Sequence, residues 1–134
     1  MKLENSISTG VDIVSIERIS KNIDAINGRF INRIFTNCEI DYCKSKKNIY
    51  HHFAGRLAGK EAVSKALKLS WENGVNWRDI EIISGKNDIP KVILHGEAEN
   101  VSNIREIKNI QISISHEKDY AIAFAITIGE RENE

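Results

Sequence analysis

The chain has 134 residues, of which 41% are hydrophobic and 28% charged, and its 19 basic residues balance its 19 acidic ones. This length predicts one domain over residues 1–134, and the even charge provides no overall field for nucleic acid or an anionic membrane. No stretch has the length of a membrane span, and the start lacks the apolar run of a secretory signal. The spacing of Cys38 and Cys43 fits neither a zinc knuckle nor a redox motif, which favours reduced thiols and a cytoplasmic location.

The first half of the chain predicts one strand followed by helices, and polar residues mark where two of the helices begin. Ser15 follows the strand and can cap the first helix. Thr36 and Glu39 form a capping box at the start of a later helix. The expected elements are a strand from Ile7 to Val14 and helices through about residue 27, over 29–35, over 37–47 and over about 52–69.

The second half of the chain predicts mainly strands. Residues 70–76 are expected to form a loop, and apolar alternation around a Gly-Lys-Asn-Asp turn predicts a hairpin over 79–94. Residues 96–107 are expected to be helical. The segments NIQISISH and YAIAFAITI alternate with period two around a short turn, which predicts two paired strands. The fold class is therefore α+β: a single compact domain with a mixed, mainly antiparallel sheet and packed helices.

The helix expected over FAGRLAGKEAVSKAL combines small side chains with two charges one turn apart. At about 100° per residue, Glu61 and Lys65 fall within about 40° of each other on a helix that is apolar on both sides. One interpretation is a surface ion pair at i and i+4. The other is that the alanines and glycines allow a ligand, or another backbone, to approach these charges closely.

Asp12 interrupts an apolar run near the end of the first strand. A carboxylate there gains nothing from burial unless it is paired or bound to a metal. A lone Asp at a strand end can also serve as a turn residue. Together with Glu61, it would supply the two oxygen ligands that Mg²⁺ commonly takes from protein.

Several other polar residues allow two interpretations each. His116 closes a strand and can be a turn residue or a ligand. The adjacent His51 and His52 are interpreted as exposed residues before a helix rather than as metal ligands. The lysines at 44, 46 and 47 can form a solvated helix end or hold a phosphate.

Five segments in order resemble one family. They are GVDIVSIERI, RIFTNCEIDYC, FAGRLAGKEAVSKAL, WRDIEI followed by a proline, and ISISHEKDYAIAFA. In this order and spacing the chain resembles holo-[acyl-carrier-protein] synthase, of the 4'-phosphopantetheinyl transferase family, over about residues 7–128.

The resemblance implies an activity and a set of partners. The family transfers 4'-phosphopantetheine from coenzyme A to a serine of apo acyl carrier protein in fatty-acid synthesis, releasing adenosine 3',5'-bisphosphate. It needs Mg²⁺ and is typically a homotrimer with active sites at subunit interfaces. No nucleic acid and no membrane is implied as a partner.

The resemblance also implies roles for seven residues. Metal binding falls to Asp12 and Glu61, and Glu61 or a water on the metal would take the serine proton. Lys65 would lie beside the pyrophosphate and neutralise or protonate the departing bisphosphate. Arg56, Pro90 and His116 would line the coenzyme A site, and Arg18 would receive the acidic carrier protein.

The chain departs from the family pattern in three places. Lys68, Leu69 and Ser70 replace the usual Gly-Thr-Gly loop, so Lys68 or Ser70 would have to help hold the bisphosphate. Gly59 replaces a common alanine and would loosen the helix by roughly 1 kcal/mol. The hairpin turn lacks Asn-Gly.

Two other kinds of protein are alternatives to this family. The alternative is a non-catalytic trimeric module that binds coenzyme A or a carrier protein, which the joint presence of Asp12, Glu61 and Lys65 disfavours. An acyl-coenzyme A N-acyltransferase would show a Gly-rich loop leading into a helix. No such loop is visible.

Overall fold

The order of helices and strands follows the prediction in the part of the chain that the computed structural model describes, residues 6–24, 28–70 and 74–130. The predicted end of the first helix at residue 27, and residues 71–73 of the predicted loop, lie outside those ranges. The elements are β1 (Ser6–Ser15), α1 (Ile16–Asp24), α2 (Arg29–Ile34), α3 (Asn37–Lys44), α4 (Ile49–Leu67), β2 (Ile80–Ser84), β3 (Pro90–Leu94), α5 (Gly96–Ile104), β4 (Ile107–His116) and β5 (Tyr120–Gly129).

Both predicted helix starts are confirmed. The Ser15 hydroxyl accepts a hydrogen bond from the backbone N–H of Arg18 at 3.3 Å. Thr36 accepts from the N–H of Glu39 at 3.3 Å, and the Glu39 carboxylate accepts from the N–H of Thr36 at 2.9 Å. These bonds satisfy donors that the first turn of a helix leaves without intrahelical partners.

The bounds of α3 and α4 differ from the prediction. Helix α3 ends at Lys44, three residues early, because Ser45 closes it with backbone bonds to the preceding turn. Helix α4 begins at Ile49, so His51 and His52 lie inside the helix rather than before it. It ends where Lys68 adopts φ 55° and ψ 43°, the left-handed conformation common at helix ends.

The described strands form two antiparallel sheets, where a single mixed sheet was expected. One has the order β1-β5-β4, and the other is the hairpin β2-β3. The sequence pattern identified every strand in the described residues. It did not show that β2–β3 and β4–β5 belong to separate sheets, because that depends on packing between distant segments.

Small residues bring α4 onto the three-stranded sheet. Ala62 and Ala66 of α4 and Ala123 and Ala125 of β5 are at most 1% exposed. Gly10 of β1 makes the closest approach, since a Cβ there would lie 2.0 Å from the carbonyl oxygen of Ala62 and 2.8 Å from the N of Ala66. The alanine and glycine content thus sets the distance between β1 and α4.

Gly59 has a packing role that was not expected. A Cβ at this position would lie 2.3 Å from Cδ1 of Ile82 and 3.0 Å from Cδ1 of Ile112. The glycine therefore seats one isoleucine from each sheet against the helix, which offsets its low helix propensity.

The opposite face of the three-stranded sheet is apolar and exposed. Val11 pairs with Phe124 and Ile13 with Ile122 across β1 and β5, and these side chains are between 43% and 61% exposed. We call these four residues the apolar sheet face. Elsewhere in the described chain, both cysteines are free thiols, and no helix combines the length and apolar character needed to cross a membrane.

Candidate active site

Asp12, Glu61 and Lys65 meet where β1 crosses α4, and we call them the acidic–lysine cluster. The Nζ of Lys65 donates to the carbonyl of Val11 at 2.9 Å and pairs with Oδ1 of Asp12 at 3.1 Å. The alternation of β1 turns Asp12 to the same face as the buried Gly10, toward the helix. Lys65 therefore forms its ion pair with a residue of the strand, and its role is not limited to an i,i+4 pair with Glu61 in its own helix.

The two carboxylates of this cluster repel each other. Burial raises the pKa of Glu61, the charge of Asp12 raises it further, and Lys65 opposes both effects. A divalent cation would relieve this repulsion. Mg²⁺ typically takes one or two carboxylates from protein and the rest of its oxygens from phosphates and water.

The donor set therefore fits Mg²⁺ shared with a substrate. Among the residues that the structure describes, no three His, Cys, Asp or Glu side chains are grouped to hold a metal ion by themselves. A site of two carboxylates depends on ligand oxygens for its completion, which suits a phosphate-containing substrate.

Arg56, Pro90 and His116 line a second site, a cavity of about 130 Å³ between α4, the β2–β3 hairpin and the end of β4. We call it the basic pocket. Arg56 is only 6% exposed, and its guanidinium carbon lies 4.2 Å from the centre of the Tyr42 ring. Within the described residues its Nε has no hydrogen-bond partner. A buried guanidinium with an unused donor is suited to an anion.

The acidic–lysine cluster and the basic pocket lie on different faces of α4. At about 100° per residue, Arg56 is about 140° around the helix from Glu61 and nearly opposite Lys65. None of the three cluster residues lines the basic pocket. The structure therefore groups six of the seven predicted site residues into two sets and does not bring the sets together within one chain.

Arg18 belongs to neither set. It lies on α1, and its side chain is exposed. Its neighbour along the helix surface, Lys21, pairs with Glu17 at 3.3 Å.

Six of the residues that line the basic pocket were not assigned to the site from sequence, and three of them have aromatic or imidazole rings: Tyr42, His51 and His52. The signal for the histidines was present, because His52 precedes Arg56 by one helical turn and so shares its face. It was missed because α4 was expected to begin at about residue 52. Tyr42 gave no local signal, since its place depends on how α3 packs on α4.

Comparisons with known proteins show which family the chain resembles. The family model of the 4'-phosphopantetheinyl transferase superfamily matches residues 8–125. The holo-[acyl-carrier-protein] synthase of Thermoanaerobacter sp. (strain X514) is 45% identical over 125 residues, which cover 93% of this chain and 89% of the relative.

Solved structures resemble the whole fold. The holo-[acyl-carrier-protein] synthase of Helicobacter pylori in complex with coenzyme A superposes with a TM-score of 0.77 and 34% identity, over 89% of this chain and 98% of that one. The holo-(acyl-carrier-protein) synthase of Bacillus anthracis in complex with CoA (3',5'-ADP) superposes with a TM-score of 0.77 and 30% sequence identity, over 94% of this chain and 99% of that one.

Proposed function

Because this chain belongs to the 4'-phosphopantetheinyl transferase superfamily, we propose that its two sets of site residues serve one transfer reaction. The chain transfers 4'-phosphopantetheine from coenzyme A to a serine of apo acyl carrier protein, with adenosine 3',5'-bisphosphate as the other product. It is an enzyme of the holo-[acyl-carrier-protein] synthase type, with coenzyme A as co-substrate. The contact of Asp12 with Lys65 beside Glu61 is the observation that carries this function.

The acidic–lysine cluster would hold the pyrophosphate. Asp12 and Glu61 are the residues that would bind Mg²⁺, and the ion would neutralise charge on the pyrophosphate oxygens. Lys65 offers a cation one helical turn from Glu61, and its ion pair with Asp12 fixes the position of its Nζ. Phosphoryl transfer is catalysed mainly by such positioning and charge neutralisation.

Glu61 is the residue we assign to the serine proton. As the serine oxygen bonds to the phosphorus of the phosphopantetheine group, its proton moves to the Glu61 carboxylate. The bond from that phosphorus to the bridging oxygen breaks, and the bisphosphate leaves beside Lys65.

The basic pocket would hold the nucleotide end of coenzyme A. Arg56 supplies permanent positive charge, His116 a ring nitrogen, and Pro90 an apolar surface for the adenine. Lys68 has a backbone conformation that a glycine adopts freely, at the position where the resemblance implies a Gly-Thr-Gly loop.

We propose that a homotrimer completes the site. The two sets of residues lie on different faces of α4, so one coenzyme A would contact the acidic–lysine cluster of one subunit and the basic pocket of the next. The apolar sheet face exposes four large hydrophobic side chains together, and we propose that neighbouring subunits cover it. The exposed Arg18 would contact the acidic carrier protein, and the cytoplasm is the proposed location.

The alternative, a non-catalytic binding module, is not favoured by any observation. Binding coenzyme A does not require two repelling carboxylates beside a lysine. The cluster would be a destabilising feature of such a module.

Intact-mass spectrometry tests the proposed function. An apo acyl carrier protein incubated with this chain, coenzyme A and Mg²⁺ is expected to gain the mass of phosphopantetheine, with one adenosine 3',5'-bisphosphate released per carrier. Coenzyme A binding without any mass gain, across several carrier proteins, would favour the binding module.

A further inference from the structure

The basic pocket holds histidines that the proposed transfer mechanism does not use. The rings of His51 and His52 lie 5.4 Å and 5.5 Å from the ring of His116, both nearly edge-on. His52 also packs edge-on against Tyr42, with ring centres 5.7 Å apart. Two residues of α4 and the last residue of β4 thus place three imidazoles around one small cavity.

His52 lies among cationic groups. The charged and titratable groups facing it are Tyr42 and Lys46 from α3 and the turn after it, His51 and Arg56 from α4, Asp88 from the β2–β3 hairpin, and His116 from β4. Asp88 is the one carboxylate in that set. It already accepts a hydrogen bond from Ser84 at 2.7 Å and lies 3.9 Å from the Nζ of Lys46.

This surrounding disfavours the charged form of His52 in the free protein. Burial lowers its pKa below the ordinary value of 6.5, and His116, Arg56, Lys46 and His51 lower it further. A pocket in which cations repel one another, and in which the buried Arg56 Nε has no partner among the described residues, is complementary to an anion.

Coenzyme A carries two kinds of anionic group. Its pyrophosphate is assigned above to the acidic–lysine cluster. Its remaining phosphate is a monoester, which is mostly a dianion above its second pKa of about 6. We propose that this phosphomonoester enters the basic pocket together with a proton taken up by His52, so that coenzyme A binding strengthens as the pH falls. This inference rests on the proposed function, since it takes coenzyme A as the ligand.

The direction of the pH dependence follows from the two states of His52. In the free protein, burial and the neighbouring basic groups hold the pKa of His52 below 6.5. A dianion beside the ring favours the imidazolium and raises its pKa in the complex. Between the two pKa values, binding takes up a proton, and the affinity rises by up to about tenfold for each unit of falling pH. Below the pKa of the free state the affinity gains nothing more.

Titration calorimetry in two buffers of different ionisation enthalpy measures this proton uptake. The full chain, with the same Mg²⁺ concentration throughout, is titrated at pH 7.0 and 7.5 with coenzyme A and with dephospho-coenzyme A. Dephospho-coenzyme A keeps the pyrophosphate and lacks only the monoester. His52→Gln removes the proposed proton acceptor, and His95→Gln is the matched control, because His95 lies outside the pocket and pairs with Glu81 at 3.0 Å.

We expect uptake of up to about one proton with coenzyme A in the wild type and in His95→Gln. Uptake should be close to zero in His52→Gln and with dephospho-coenzyme A. An NMR titration of the His52 ring in the wild-type chain, with and without coenzyme A, should show its midpoint moving to higher pH in the complex.

Two results would overturn the inference while leaving the proposed function in place. One is equal proton uptake by the wild type and His52→Gln, and the other is equal uptake with the two ligands. The inference would also be overturned if coenzyme A leaves the NMR titration midpoint of the His52 ring unchanged. If neither ligand binds at any pH, the proposed function itself fails, and the inference fails with it.

Discussion

Lys60 shows how a buried residue that belongs to neither set can support the site through its helix. It is fully buried beside the half-buried Glu61, and its Nζ lies 2.8 Å from a carboxylate oxygen of the equally buried Glu39. The same Nζ donates to the carbonyls of Trp77 at 3.1 Å and Ile80 at 2.5 Å. Glu39 in turn accepts from the N–H of Ile82 at 2.8 Å, so the pair joins α3, α4 and the hairpin.

Lys60→Met is expected to destabilise the protein by about 3–5 kcal/mol, because it leaves the buried Glu39 carboxylate without its counter-ion. Denaturant unfolding measures the loss. The double variant Glu39→Gln/Lys60→Met should lose less, since it removes both charges. The matched control is Lys21→Met, whose exposed pair with Glu17 should contribute nothing measurable. A Lys60→Met protein as stable as this control would show that the buried pair is not a structural anchor.

At the scale of elements, the approach of β1 to α4 creates the acidic–lysine cluster. Gly10 lies two residues before Asp12, on the same face of the strand, and has backbone atoms of α4 where a side chain would otherwise be. The position of Asp12 relative to Glu61 and Lys65 therefore depends on a glycine that itself carries no chemistry.

Gly10→Ala is expected to cost about 1–3 kcal/mol, because the added methyl group must push β1 away from helix backbone that cannot rotate aside. The same shift should reduce the transfer rate at least about tenfold, since misplaced groups lose catalytic power steeply. Thermal unfolding and the mass-spectrometric transfer assay measure the two effects. Ser8→Ala, on the same face of β1, should change neither. A Gly10→Ala protein with normal rate and stability would contradict the close approach.

The end of α4 gives a second test at this scale. Lys68 occupies the left-handed region at φ 55°, where a side chain costs roughly 1 kcal/mol and glycine costs nothing. Lys68→Gly should therefore raise the free energy of unfolding by up to about 1 kcal/mol, whereas Lys68→Ala should not. If Lys68 also helps to hold the bisphosphate, both variants should raise the KM for coenzyme A alike. Equal free energies of unfolding for Lys68→Gly and Lys68→Ala would contradict the claim that the backbone is strained at Lys68.

Much of the architecture could be predicted from sequence, and what could not be predicted has a physical cause. Alternation identified β4 and β5, and Thr36 with Glu39 identified the start of α3, because these signals are local. The division of the strands into two sheets was not predicted, since it depends on contacts between distant segments.

The candidate site divides in the same way. Its residue types were visible in the sequence, and the structure places the Lys65 ammonium against the Asp12 carboxylate. The separation of Arg56 from this cluster was not predicted, although it follows from the spacing of Arg56 and Glu61 along a helix with about 100° per residue. The buried pair of Lys60 with Glu39 was also missed, because a lysine followed by a glutamate in the sequence is typical of an exposed helix surface.

At the scale of the whole molecule, the division of the site predicts complementation between inactive subunits. Asp12→Ala disables the acidic–lysine cluster, and Arg56→Ala disables the basic pocket. Each variant alone should be inactive if one site draws on two subunits. Trimers coexpressed from equal amounts of both should regain up to about a quarter of the wild-type activity, the fraction of interfaces that combine two intact halves.

The size of the assembly checks the same account independently. Light scattering should give a trimer for the wild type, and Phe124→Asp, which places a charge in the apolar sheet face, should shift it toward the monomer and lower the transfer rate. Mixed trimers with no regained activity, or a wild type that is monomeric and fully active, would contradict a site shared between subunits.

The measurement that tests the central claim most directly is the rate of phosphopantetheine transfer to apo acyl carrier protein, followed by intact mass, in the wild type, Asp12→Ala and Glu61→Gln. Coenzyme A binding is measured in parallel. The account predicts that chelation of Mg²⁺ and each substitution lower the rate at least about 100-fold, because charge neutralisation is the main source of catalysis. The basic pocket should still bind coenzyme A. Transfer at the wild-type rate in both variants would show that the reaction does not take place at the acidic–lysine cluster.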